Sequence, residues 1–126
     1  MSITVEWDNA EKTILHFTFK SRWSREEFFE VVEVSNQMVD QIDHDIGVII
    51  DMRDSGFLPS SLMPDLRSMS SRSHARMRKI VLVTNNRFIT NFINAFSKIY
   101  PSPPQRRFMM VETLDQARGF LSAKQG

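Results

Sequence analysis

Four side chains able to hold a hard cation, Asp40, Asp43, His44 and Asp45, fall close together in the chain. Carboxylates with an imidazole make a donor set for a divalent ion. Aspartate also bonds its own backbone in turns, so the same composition builds a polar connection between two elements. A connection is the expectation here, with no metal and no cofactor. Hydrolysis has raw materials in the serines, the acids and three histidines. No G-x-S-x-G elbow presents a nucleophile, however. Only four glycines occur, Gly47, Gly56, Gly119 and Gly126. None forms a glycine-rich turn after a strand, so dinucleotide and P-loop binding lack support. Absence of cysteine removes thiolate nucleophiles, thiolate metal sites and disulfides. No catalytic residue is assigned, and the chain is expected not to be an enzyme.

Charge narrows the partners. Arg67, Arg72, Arg76, Arg78 and Lys79 run together with His74 among them, and Arg106 and Arg107 follow later. A polyanion surface needs a one-sided excess. Sixteen basic residues against fifteen acidic ones leave a net charge of +1, so nucleic acid is not an expected partner. No stretch approaches the roughly 20 apolar residues of a membrane helix, and Met1 to Glu6 lacks the basic-then-apolar pattern of a secretion signal. A cytoplasmic location without an integral membrane segment is expected.

The elements that must position these residues follow from hydrophobic period. The chain has 126 residues, 41% of them apolar, which suits a single domain over residues 1–126. Ile3 to Trp7 alternates, a polar link follows, and Leu15, Phe17 and Phe19 alternate again, which predicts an antiparallel hairpin with His16 on its outer face. Ser24 and Glu27 form a capping box for a helix to about Ile42, with Phe28, Val31, Val32, Ser35, Met38, Val39 and Ile42 on one stripe. Phe29 falls off that stripe. Ile46 to Met52 reads as a buried strand ending near Asp51, with Asp54-Ser55-Gly56 in the loop beyond. A second helix is predicted between Pro59 and about Ser71, and Lys79 to Val83 is another buried strand. Asn85 or Asn86 caps a third helix to Tyr100, whose apolar face is wider than one sheet face needs. Phe88, Ile89, Ile93, Phe96 and Tyr100 on it, with Phe29, are candidate interface residues. Phe108 to Val111 makes a last strand, and Thr113 with Gln116 caps a last helix. The order β-β-α-β-α-β-α-β-α implies an α/β fold with a mostly parallel sheet.

A hairpin feeding alternating helices and strands resembles the STAS (SpoIIAA-like) fold of anti-anti-sigma factors, over Ile3 to about Ala123. Val48-Ile49-Ile50-Asp51-Met52 matches the family's strand ending in aspartate. Pro59-Ser60-Ser61-Leu62 stands where the family opens its second helix with Asp-Ser-Ser-Gly; the serines match, and Pro59 and Leu62 replace the aspartate and the glycine. Val111 to Ala117 resembles the closing segment. The resemblance implies a regulatory protein-interaction domain, with Ser60 and Ser61 as candidates for phosphorylation by a partner kinase. A phosphate there would meet the free N–H groups of a helix start. A protein partner and a homodimer are expected. The alternative is a domain binding a small apolar ligand or lipid, with Met63 and Met69 as candidate contacts. A receiver-like role for Asp51 as phosphate acceptor is a weaker expectation, since a receiver opens with one strand rather than a hairpin.

Overall fold

The computed structural model describes residues 2–55, 74–99 and 107–122. Five strands form one sheet in the order β1-β2-β3-β4-β5: Ile3–Trp7, Ile14–Ser21, Ile46–Ser55, Met77–Val83 and Arg107–Val111. The first pair is antiparallel, with Val5 opposite Phe17, and the other three pairs are parallel. Among the described residues the helices are α1 (Arg25–Asp40), α2 (Arg87–Ile99) and α3 (Leu114–Ser122). The fold is α/β with a mostly parallel sheet, and among the described residues the order is β-β-α-β-β-α-β-α. The helix expected between Pro59 and Ser71 lies outside the described residues, as do Ser60, Ser61, Met63, Met69, Tyr100 and the side chain of Phe96.

Alternation along the strands gives the sheet two unlike faces. On one face Leu15, Phe17, Phe19, Val48, Met52 and Leu82 form a continuous core with Phe28, Val31 and Val32 of α1 and with Ile89 and Ile93 of α2. Phe19, Trp23 and Phe28 meet edge to face, their ring centroids 5.0 to 5.8 Å apart, the geometry that ring quadrupoles favour. On the other face Ile14, Ile49, Val81 and Val83 pack against Ala117 of α3.

Local chemistry fixes where the helices begin. The Glu27 amide donates to Ser24 Oγ at 3.1 Å, capping α1, but the Glu27 carboxylate turns to the Ser2 amide at 3.0 Å instead of closing a reciprocal box. Helix α1 is thereby fixed to β1 at its start. Asn86 caps α2 by accepting from the Phe88 amide at 2.9 Å. Thr113 and Gln116 cap α3 reciprocally, at 3.1 Å in each direction.

Strand β3 runs past its expected end. Arg53, Asp54 and Ser55 look like a turn in composition, yet Lys20 pairs with Asp54 and Ser21 with Ser55. Between Thr18 and Lys20 the register shifts, so that β3 uses one more residue than β2. That bulge lets a polar segment stay in the sheet and re-aims its side chains.

Candidate functional site

The face that carries α3 is polar at its β1–β3 end. His16 lies on the same face as Ile14, because it is two residues along the same strand. Far from being an outer-face residue in water, its side chain is about 11% exposed. Its Nδ1 faces Asp8 Oδ1 at 3.2 Å, and its Nε2 faces Asp51 Oδ2 at 3.4 Å. Asp8 begins the β1–β2 turn. That turn is held by Asn9, whose Oδ1 accepts from the Thr13 amide at 3.0 Å.

Each carboxylate has its own arginine. Arg53 Nε and Nη2 donate to the two oxygens of Asp51 at 2.9 and 2.8 Å, and the Arg53 backbone amide adds a third bond at 3.2 Å. Arg118 of α3 grips Asp8 in the same forked way, with both bonds at 2.9 Å. Bidentate guanidinium–carboxylate pairs are the strong form of this contact. The result is a row, Arg53–Asp51–His16–Asp8–Arg118, that joins β3, β2, the first turn and α3. The Arg118 hydrogen bond leads in holding the Asp8 carboxyl below its ordinary value. Burial works to raise the Asp51 carboxyl, but the hydrogen bonds from Arg53 outweigh it and hold that group below its ordinary value too. Both aspartates are thus acceptor-only anions around neutral pH.

This corrects the place of Asp51. It lies within β3, buried, rather than at the strand's end, and the arginine fork occupies both of its oxygens. Asp54 and Ser55 belong to the strand as well, not to a loop. Ser55 is buried and its Oγ accepts from the Trp23 indole at 3.0 Å. Ile89 and Ile93 are core residues under α2 and form no outward face. Phe29 is half-buried, its ring beneath the Arg25 guanidinium at 4.9 Å. Phe88, by contrast, is 65% exposed. The acids at and beyond the end of α1 disperse: Asp40 pairs with His74 Nε2 at 2.8 Å and Asp45 with Arg78 at 3.7 Å. Among the described residues no three such side chains gather as metal ligands would.

His16 alternates with Ile14 on one face of β2, and a sheet face is either solvated or covered by another element. Nothing in the spacing could show that Asp8, Asp51 and Arg118 would do the covering, since Arg118 is 110 residues from Asp8.

A family model described as SpoIIAA-like matches residues 14–122 of this chain. Among solved structures, an uncharacterised protein of Shewanella loihica PV-4 with a SpoIIAA-like fold superposes at a TM-score of 0.70. The match covers 95% of this chain and 93% of that one at 12% identity, so the likeness is one of fold. No curated protein matches the sequence significantly. Among the described residues no helix is long and apolar enough to cross a membrane.

Proposed function

The chain belongs to the SpoIIAA-like family, whose model spans residues 14–122, and from that premise we propose that it is a regulatory domain that works by protein contact and not by catalysis. The observation that carries this reading is Phe88. It opens α2, just past the C-terminal end of β4, and is 65% exposed while its neighbour Ile89 is buried. Strand β3 delivers the chain to the same edge of the parallel sheet at Ser55, five residues before Ser60. A phosphate on Ser60 or Ser61 would change the charge near the chain's exit from β3, and a large exposed aromatic is the residue type that anchors protein contacts.

The candidate catalytic groups support the same reading. Both ring nitrogens of His16 face carboxylates, so neither is turned to a substrate. Asp51 is enclosed by Arg53 and His16, which is a poor setting for a phosphate acceptor. The partner is a cytoplasmic regulatory protein, with a serine kinase setting the switch; self-association is the other form the contact can take.

Mass spectrometry of the protein purified from its native host tests the switch. Phosphate on Ser60 or Ser61 is the expected finding, and both serines unmodified under all growth conditions would remove it. In-cell crosslinking tests the contact. Phe88→Asp should abolish an adduct formed by the wild-type protein, and an adduct of equal yield in the variant would refute the role of Phe88.

A further inference from the structure

Strand β5 closes one edge of the sheet, and among the described residues no strand lies beyond it. After Arg107 its residues are all apolar: Phe108, Met109, Met110 and Val111. Phe108 is 37% exposed and Met109 39%, so two adjacent large apolar side chains meet water, one on each face of the sheet. Helix α3 does not seal the Met109 face, because it packs on Ile49, Val81 and Val83 of β3 and β4. The strand is also open along its backbone. The Val111 carbonyl accepts from the Thr84 amide at 3.0 Å. Alternate residues of a parallel ladder turn both backbone groups to the same neighbour. Arg107, Met109 and Val111 therefore bond to β4, and the N–H and C=O of Phe108 and Met110 point away from it. Natural edge strands are usually blunted by a lysine, a proline or a bulge. From Phe108 to Val111 this strand has none of these.

We propose that β5 is an interface to a second copy of this chain, paired antiparallel across a twofold axis at Met109, so that two sheets join into one. This surface is distinct from Phe88, which opens α2 beyond the end of β4.

The edge itself selects a second copy. A twofold interface must be complementary to its own surface. With Met109 opposite Met109, Phe108 of each copy stands opposite Met110 of the other. Those are the residues with outward backbone groups, so each of the two pairs exchanges two hydrogen bonds, four in all. An axis at Phe108 or at Met110 leaves only two such bonds within β5. Met110 already packs against the core. The Phe108 ring of the second copy extends that core, and a sulfur beside an aromatic ring is a favourable contact. Charge agrees with the register. Arg107 begins the strand and Glu112 follows its end, so antiparallel pairing brings the cation of each copy near the acid of the other.

Sedimentation of the full chain over a range of concentrations tests the pairing. The wild type is expected to dimerise. Met109→Lys and Met109→Glu each set like charges together at the axis, and each should raise the dimer dissociation constant about a hundredfold or more. Mixed in equal parts, the two variants should pair again, because only the mixed dimer sets a lysine against a glutamate. A wild type that stays monomeric at every concentration would overturn the proposal. Variants that dimerise as the wild type does, or a mixture that stays monomeric, would overturn it too. A photocrosslinker at position 109 in cells gives a readout that needs no charged variant. An adduct of twice the chain mass is expected, and adducts to other proteins alone would overturn the proposal in favour of a partner's β-strand.

Discussion

Phe88 and Ile89 are adjacent in the first turn of α2, yet one is 65% exposed and the other 1%. Truncating each to alanine should therefore give two different kinds of variant. Ile89→Ala removes three carbons from the core shared by α1, α2 and the sheet. At about 0.8 kcal/mol per buried methylene the transfer term is about 2.4 kcal/mol. The cavity left behind brings the loss into the range of about 2–5 kcal/mol. Phe88→Ala removes a ring with only about a third of its surface covered. A fully buried phenylalanine contributes about 1.5–3 kcal/mol, so about 0.5–1 kcal/mol is at stake. Alanine's better helix propensity returns about half a kcal/mol, and the net change is close to zero. Urea unfolding at fixed pH reads both. The midpoint should fall markedly for Ile89→Ala and hardly move for Phe88→Ala, with equal slopes if the two variants unfold alike. The crosslinked adduct should show the opposite ranking. A Phe88→Ala midpoint as low as that of Ile89→Ala would refute the assignment of Phe88 to the surface, and with it the proposed contact.

Three further outcomes are expected. Gly47→Ala places a Cβ 2.6 Å from Leu121 Cδ2 and 3.2 Å from its Cγ, so the Leu121 side chain must shift, at a loss of about 1 kcal/mol by thermal melting, the low end for overpacking; Leu121→Ala in the same chain should restore part of it, and strict additivity would refute the contact. Asp8 and Asp51 both titrate below their ordinary value of 3.8 in the folded protein. The stability they supply is present above the unfolded value and lost as pH falls through the folded one, so urea midpoints should drop on the acid side of about pH 4, less steeply in Arg118→Ala. Ser24→Ala deletes the cap of α1 and should lower stability by about 1 kcal/mol by urea unfolding, whereas Ser24→Asp should keep most of it.

Much of the fold was legible because the apolar pattern was local. Phe28, Val31, Val32, Ser35 and Val39, read as the stripe of the first helix, are its buried residues. The hairpin pairing of Val5 with Phe17 follows from two alternating runs across a short turn. A residue whose setting depends on distant chain is not legible in this way. Arg53 to Ser55 carry turn-forming types but are held in β3 by Lys20 and Ser21. The wide apolar face of the third helix suggested surplus surface, yet Ile89 and Ile93 are used by the core and Phe88 is the exposed member. His16 alternates away from Leu15 and Phe17 as the pattern requires but is not exposed, because α3 and two aspartates cover that face only on folding. Candidate residues that depend on the segments between the described ones, Ser60 and Ser61 above all, rest on the family resemblance.

The fork between Asp8 and Arg118 spans 110 residues of sequence. During synthesis the hairpin, α1 and β3 emerge well before α3, at roughly 5–20 residues per second. Through that interval Ile14 and Ile49 lack the contact with α3 that later covers them. Asp8 likewise waits for its arginine. Closing a loop of that length adds only slowly to the entropy that must be overcome, so the delay is one of timing and not of thermodynamic penalty. The nascent chain consequently passes through a stage in which the apolar surface that α3 will seal still lacks that helix, and Asp8 is the anchor that receives it when it arrives.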